Sequence, residues 1–254
     1  MIPLKDMDRW YGSAHYRKKV DWVCIDQPKV VQEWVSHVPV RAIVLDKKYE
    51  DTDTWWDTWQ IHDTQVKNRL RDVVQYQSTG WFSNLDTPCR SGMIVVFDRP
   101  ALCDQNQLDQ AHKIVLLDGI QDPGNMGTII RTMCAFGFTT LCLTTDCGDP
   151  LHPKSVRASS GAIAHLNYFT QPQWEDWLPN QTRPMYVLDP KGDTLCTQIP
   201  GPNQFILVCG SEGQGIRAHG VQSYDNTVFV QVPMVAGESL NAAVSLSISL
   251  FLLR

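Results

Sequence analysis

The sequence contains little that would indicate a membrane, a metal centre or a disulfide framework. Its 254 residues include no uninterrupted apolar run near the length of about eighteen residues that crosses a bilayer, and MIPLKDMDRWYG lacks a signal-peptide core. None of the eight cysteines forms a C-x-x-C pair, and several lie in apolar patterns where a free thiol acts as a small hydrophobe. We therefore expect a soluble cytoplasmic protein with reduced thiols, no metal and no membrane partner.

A basic surplus and the common phosphate-binding loops are also missing. The formal net charge is −5, which argues mildly against a nucleic-acid partner, because RNA-binding proteins are usually basic. The basic clusters 17–19 and 67–71 could still contact phosphates, although such clusters are more often solvated surface. No G-x-x-x-x-G-K-[ST] loop occurs, and no G-x-G-x-x-G follows the first strand of the C-terminal part, so the glycines do not indicate ATP or NAD.

Apolar runs of strand length alternate with segments of helical spacing, which predicts an α/β fold. In the N-terminal part we expect strands at 20–25, 40–45 and 93–97 and helices at 30–35 and 65–76. In the C-terminal part we expect strands at 114–117, 140–144, 185–188, 205–209 and 228–232, helices at 125–136, 153–166 and 238–253, and a loop at 172–184. The sequence thus predicts a parallel-sheet C-terminal domain and a smaller N-terminal α/β domain.

Tryptophan is concentrated near the N-terminus, where seven of the nine tryptophans precede residue 82. Most are expected to be packing residues, since the indole ring buries a large apolar area. Exposed ones could instead stack on unpaired bases, which is a common way to recognise RNA loops.

Three short motifs follow predicted strands, and ligands bind at the carboxyl ends of strands in such sheets. DPGNMGTIIRT places Asn125 at the predicted helix N-cap and Arg131 more than one and a half turns inside the helix. GSEGQG spans 210–215, and PMVAGESLN spans 233–241. Taken singly, these motifs could be a helix cap with a surface arginine, a tight turn without a ligand, and a second cap.

Together and in this order, the motifs resemble those of the SpoU (TrmH) family of RNA ribose 2′-O-methyltransferases, in the SPOUT superfamily. The resemblance extends from about Ile114 to the C-terminus. It implies S-adenosylmethionine as cofactor, a C-terminal trefoil knot and a homodimer with the active site near its interface. Residues 1–98 are similar to the substrate-binding domain of SpoU-family rRNA methyltransferases. We therefore expect an RNA-binding domain at 1–98, a linker at 99–112 and a catalytic domain at 113–254.

The resemblance also assigns roles to individual residues. The implied catalytic residues are Asn125, Arg131, Glu212, Ser239 and Asn241, and the implied cofactor-binding residues are Gly210, Val232 and Leu240. Arg131 is expected to hold a phosphate and orient the 2′-hydroxyl, because a guanidinium stays protonated and is a weak base. Asn125 is expected to fix Arg131 and the loop, and Glu212 to bond to the active-site backbone or to Asn125. A solvated acid at position 212 and helix caps at 239 and 241 are the alternatives.

The last predicted helix is apolar on more than one face, which fits either a dimer interface or a fully buried core helix. The family resemblance, which implies a dimer, favours the interface. The sequence as a whole predicts methyl transfer from S-adenosylmethionine to a ribose 2′-hydroxyl of rRNA. Two alternatives stay open, a tRNA substrate and a non-catalytic RNA-binding assembly factor with the same fold.

Overall fold

A computed structural model describes the whole chain except residues 1, 36–37, 51, 53, 60, 63, 101, 171–176, 178–180, 214 and 217–223. By their contacts the residues divide into two compact units. The first unit combines Met1–Ala101 with Asp149–Ala164, and the second combines Leu102–Gly148 with His165–Arg254. The predicted domain bounds stay a prediction, because they assign functions to the parts, which a division by contacts does not test.

Helices and strands follow one another in an α/β order. The helices are α1 (Leu4–Gly12), α2 (Ala14–Lys19), α3 (Pro28–Trp34), α4 (Trp55–Thr58), α5 (Thr64–Arg71), α6 (Thr79–Asn84), α7 (Gln105–Gln110), α8 (Pro123–Ala135), α9 (Pro153–Ser159) and α10 (Ala242–Leu253). The strands are β1 (Trp22–Ile25), β2 (Val40–Asp46), β3 (Val74–Gln77), β4 (Met93–Asp98), β5 (Lys113–Asp118), β6 (Thr140–Leu143), β7 (Asn167–Thr170), β8 (Met185–Leu188), β9 (Thr194–Leu195), β10 (Phe205–Gly210) and β11 (Thr227–Gln231). The predicted α/β class is confirmed.

The first unit is built on a four-stranded sheet in the order β1-β4-β2-β3. Strand β4 is antiparallel to both neighbours, and β3 is parallel to β2. Tryptophan packing fills the space around this sheet, with Trp34 edge-on to Phe97 at a ring-centroid distance of 5.4 Å. Six of the seven tryptophans before residue 82 are buried, and Trp81 is half-buried, so the packing interpretation is confirmed for those six.

The second unit is built on a seven-stranded sheet in the order β7-β6-β5-β10-β8-β11-β9. Every pair in it is parallel. Strands β5 and β10 lie side by side near the middle and are almost wholly buried, as expected for apolar strands covered on both faces. All carboxyl ends therefore meet at one edge of the sheet. The trefoil knot stays a prediction, since part of the chain between β10 and β11 lies outside the described residues.

Several predicted elements differ from those observed. The helix predicted at 65–76 is wrong in its last part, because α5 ends at Arg71 and residues 74–77 form β3, whose Val74 pairs with Ile43 of β2. Residues 74–77 alternate apolar and polar side chains, the period of a strand, and pairing with β2 decides the outcome. The predicted linker contains α7, which begins with a capping box. Strands β7 and β9 were not predicted, and most of the predicted loop at 172–184 lies outside the described residues.

Two predicted helices are also shorter than expected. The helix predicted at 153–166 ends at Ser159, followed by Ser160 in the left-handed conformation with φ of 54°. The last helix, predicted from residue 238, begins only at Ala242 because Asn241 caps it. No described helix has the length and apolar character needed to span a membrane.

A buried ion pair joins the returning segment Asp149–Ala164 to the rest of the first unit. Arg17 is 3% exposed, and its Nε donates to Asp149 Oδ2 over 3.3 Å. Its Nη1 donates to the carbonyl oxygens of Trp10 and Tyr11 over 2.8 and 3.1 Å. Burial lowers the pKa of Arg17, and the Asp149 carboxylate opposes that shift. Arg17 thus connects α1, α2 and the returning segment.

We expect Arg17→Ala to lower the free energy of unfolding of the first unit by at most about 3–5 kcal/mol, because it leaves the buried Asp149 with a longer cationic contact, to Arg99 at 3.7 Å. Urea unfolding followed by tryptophan fluorescence measures the change. Lys18→Ala, which removes an exposed cation from the same helix, should change stability by no more than about 0.5 kcal/mol. Equal stability of the two variants would show that the buried pair contributes nothing.

Candidate functional site

A pocket of about 820 Å³ opens where β8, β10 and β11 end. The turn after each strand contributes to its wall. The lining residues are Leu188, Asp189, Pro190, Lys191, Cys209, Gly210, Ser211, Glu212, Gly213, Gly215, Val230, Val232, Met234, Glu238, Ser239, Leu240, Ala242 and Ser245. Much of this wall is glycine backbone and aliphatic side chain, so it suits a ligand with a large apolar or aromatic part.

The glycines after β10 are required by a close backbone approach. The turn closes with the N–H of Gly215 donating to the carbonyl oxygen of Ser211 over 3.0 Å. A Cβ at Gly210 would lie 2.3 Å from the carbonyl oxygen of Gly215, a distance that no side chain can adopt. Gly215 itself has φ of 64°, in the region that favours glycine. The turn can therefore form only with glycine at position 210.

Three separate parts of the chain meet at one carboxylate oxygen beside this turn. The amide Nδ2 of Asn125 donates to Glu212 Oε1 over 3.1 Å, and that of Asn241 donates to the same oxygen over 2.6 Å. The backbone N–H of Ala242, in the first turn of α10, donates to it over 3.0 Å. Asn241 also donates to Asn125 Oδ1 over 3.0 Å. Glu212 thus joins the start of α8, the turn after β10 and the start of α10.

Asn125 is not the N-cap of α8, so that prediction is wrong. Asp122 caps the helix, and its Oδ1 accepts a hydrogen bond from the backbone N–H of Asn125 over 2.7 Å. Pro123 occupies the first turn, where its missing N–H is not needed. Because Asp122 satisfies the helix end, the Asn125 side chain is available to bond to Glu212 and Asn241.

Arg131 lies on the exposed surface of α8. Within the described part of the chain its guanidinium has no hydrogen bond or ion pair, and Asn125 bonds to Glu212 and Asn241 instead. The adjacent Thr132 accepts a hydrogen bond from Ser247 of α10 over 3.2 Å. Helices α8 and α10 pack together, so the backbone that carries Arg131 is held while its side chain stays accessible.

The family model of the SpoU rRNA Methylase family matches residues 112–251, more than half of the chain. This chain belongs to that family. A curated relative, the 23S rRNA (guanosine(2553)-2′-O)-methyltransferase RlmP of Bacillus subtilis, is 32% identical over 152 residues, which are 59% of this chain and 61% of RlmP. The chain spans between 25% and 61% of the length of this and other curated relatives that it matches.

Solved structures are similar over nearly the whole length. A TrmH-family structure from Porphyromonas gingivalis has a TM-score of 0.76 and 27% identity, covering 100% of this chain and 98% of its own. The SpoU methyltransferase AviRb from Streptomyces viridochromogenes, in complex with AdoMet, has a TM-score of 0.76 and 21% identity, covering 98% and 96%. At 21% identity, the likeness to AviRb shows that the two proteins share a fold.

The SpoU-family motifs account for most of the predicted site residues at this edge of the sheet. Gly210, Val232 and Leu240 line the pocket, as do Glu212 and Ser239. Asn241 caps α10, with Oδ1 accepting from the N–H groups of Ala243 and Val244, and it also bonds to Glu212 and Asn125. The cap alternative is thus confirmed for Asn241, and its catalytic role stays a prediction.

The turn after β8 was missed by sequence reasoning. Leu188 to Lys191 line the pocket beside the two motif turns. The backbone at Gly192 approaches β11 so closely that a Cβ there would lie 2.7 Å from Val230 N. The sequence Asp-Pro-Lys-Gly directly after a predicted strand could have indicated this turn. In a parallel sheet such a turn lies at the edge where ligands bind.

Cys209 is one of the residues that line the pocket. The thiol is buried, and burial raises its pKa to about 12. All eight cysteines are free thiols.

Proposed function

We propose that this chain transfers a methyl group from S-adenosylmethionine to a ribose 2′-hydroxyl of ribosomal RNA. The observation that carries the proposal is the position of Glu212, which lines the pocket and also bonds to the start of α8, the helix that carries Arg131. Supporting it, RlmP is named as a 23S rRNA 2′-O-methyltransferase, and AviRb was solved with AdoMet. A cytoplasmic location belongs to the same proposal.

The pocket suits this cofactor. Gly210 brings bare backbone to the cavity, and Val232 and Leu240 offer aliphatic surface to an adenosine. Asp189, Lys191 and Glu238 are charged groups that could pair with the amino-acid end. When bound, S-adenosylmethionine supplies a methyl group already activated by the positive charge on sulfur. The protein then has to align an acceptor hydroxyl and remove its proton.

The protein's own residues divide these tasks. Arg131 holds the phosphate next to the target ribose and orients the 2′-hydroxyl, a task for which its exposed planar fork is suited. Asn125, Glu212 and Asn241 fix the relative positions of α8, the turn after β10 and α10. Ser239 completes the polar wall of the pocket. RNA binding by residues 1–98, catalysis by 113–254 and the trefoil knot belong to the same proposal.

Radiolabelled methyl transfer to purified rRNA and tRNA tests the function directly. We expect incorporation into rRNA only, with ribose 2′-O-methylation found on nuclease digestion. Mapping of rRNA from cells that lack the protein should show one methylation lost. Incorporation into tRNA would replace the substrate, and none into either RNA would favour a non-catalytic assembly factor.

The cofactor pocket predicts the effect of Gly210→Val. Its Cβ would collide with the backbone of Gly215, so the turn must open and the pocket must change shape. We expect calorimetry to show an affinity for S-adenosylmethionine lower by at least about a hundredfold, or about 2.8 kcal/mol. Gly201→Ala, whose added Cβ meets nothing within 4 Å, is the matched control and should bind normally. Normal binding by a folded Gly210→Val protein would remove this pocket from the proposal.

The exposure of Arg131 predicts a separation of binding and catalysis. Arg131→Ala should keep S-adenosylmethionine affinity within about twofold and lower the methyl-transfer rate by at least about a hundredfold. Arg131→Lys should restore little, because an ammonium lacks the planar fork that holds two oxygens together. Single-turnover rates at saturating RNA measure the effect. A near-normal rate in Arg131→Ala would reduce this arginine to an ordinary surface residue.

A homodimer is also proposed, on the exposed apolar face of α10. Val244, Ile248, Phe251 and Leu252 lie on successive turns, and each is between 36% and 49% exposed. Their offsets of four, three and one place them on one stripe of the helix. A stripe of this kind is typical of an interface and is costly to leave in water.

Light scattering at micromolar concentration should give two chain masses for the wild type and one for Ile248→Glu, because a carboxylate buried in an apolar interface lacks a partner. Leu102→Glu is the control, since Leu102 is 54% exposed but lies away from α10 in sequence. It should remain dimeric. One chain mass for the wild type would contradict the dimer.

A further inference from the structure

The proposed reaction releases one proton, and Arg131 cannot accept it. The bond from the ribose oxygen to the methyl carbon forms while the methyl–sulfur bond breaks, and the electron pair stays with sulfur. The proton of the 2′-hydroxyl must then pass to a base. A guanidinium stays protonated in proteins and has no acceptor site. The amides of Asn125 and Asn241 and the hydroxyl of Ser239 are not bases either.

The hydrogen bonds to Glu212 are distributed unequally between its two oxygens. Asn125, Asn241 and Ala242 all donate to Oε1, at 3.1, 2.6 and 3.0 Å. Among the described residues no donor reaches Oε2. Each carboxylate oxygen offers about two lone pairs, so the arrangement fixes the group through one oxygen and leaves the other able to accept a proton.

The surroundings of Glu212 suit a proton acceptor for this reaction. The residue lines the pocket, so it lies beside the methyl donor of the proposed function, and it bonds to the helix that carries Arg131. Two other acids line the pocket, Asp189 and Glu238. Asp189 Oδ1 accepts a hydrogen bond from the backbone N–H of Lys191 over 2.8 Å, within its own turn. Glu238 makes no contact with α8 among the described hydrogen bonds and ion pairs.

We propose that Glu212 Oε2 accepts the 2′-hydroxyl proton during methyl transfer, while Oε1 anchors the side chain. The inference rests on the proposed function and gives Glu212 a chemical task beyond holding the loop. Arg131 and Glu212 then form a pair in which the cation positions the ribose and phosphate and the carboxylate removes the proton.

The substitution Glu212→Gln tests the roles of the two carboxylate oxygens separately. A glutamine keeps one oxygen that can accept all three donors but replaces the other with an amide that cannot take a proton. We expect the single-turnover rate at saturating RNA and S-adenosylmethionine to fall by at least about a hundredfold. The melting temperature and the cofactor affinity should stay near the wild-type values. Asp193→Asn, the same change at an exposed acid of the second unit, is the control and should keep full activity.

Chemical rescue provides the second measurement. Formate added to Glu212→Ala should restore part of the lost rate, because a small carboxylate can enter the space left by the side chain, and formamide should not. The proposal is overturned if Glu212→Gln reacts within about threefold of the wild-type rate, well inside the hundredfold expected for losing a base. It is also overturned if higher cofactor concentration alone restores the rate. An inactive wild type would instead refute the proposed function.

Discussion

The site depends on one oxygen atom, Glu212 Oε1. Its donors come from positions 125, 241 and 242, which lie on two helices that follow different strands of the sheet. The acceptor is a carboxylate, and hydrogen bonds to a charged acceptor are stronger than those to a neutral one. Because a single acceptor serves three donors, a shift of α8, α10 or the turn after β10 weakens the contacts of the other two. The positions of α8, α10 and the turn after β10 at this edge of the sheet therefore depend on one another.

The parallel sheet makes this convergence possible. Strands β5 and β10 are neighbours in register, with Gly210 opposite Asp118, so the turns that follow them begin at the same level. The helix after β5 and the turn after β10 are then adjacent without any long connection. Glycine at position 210 lets the chain fold back onto itself at once, which keeps Glu212 within reach of Asn125. Backbone geometry thus places the polar groups before side-chain contacts refine them.

Sequence reasoning recovered five of the seven strands of the second unit, all except β7 and β9, and the motif turns, because their signals are local. An apolar run such as 205–209 is followed at once by its turn, and the family pattern adds the order. The N-cap at Asp122, β3 and the turn at Asp189 were missed for physical reasons. Asp122 and Asn125 are both good caps, and only the position of Pro123 favours the first. Strand β3 forms because it pairs with β2, which lies far away in sequence. The turn at Asp189 lines the pocket because β8 lies beside β10 in the sheet, and the local sequence does not reveal that strand order.

Two arginines show why function could not be read from residue type alone. Arg17 and Arg131 both lie in helices, and the residue type and the helical position alone do not distinguish them. Arg17 is buried, and its guanidinium donates hydrogen bonds to Asp149 and to two backbone carbonyls. Its role is therefore to stabilise the first unit. Arg131 is exposed, and no described group of the protein receives its donors. Because its guanidinium is exposed and makes no described contact, Arg131 is available to bind an anionic group of a substrate. The phosphates of RNA are such groups.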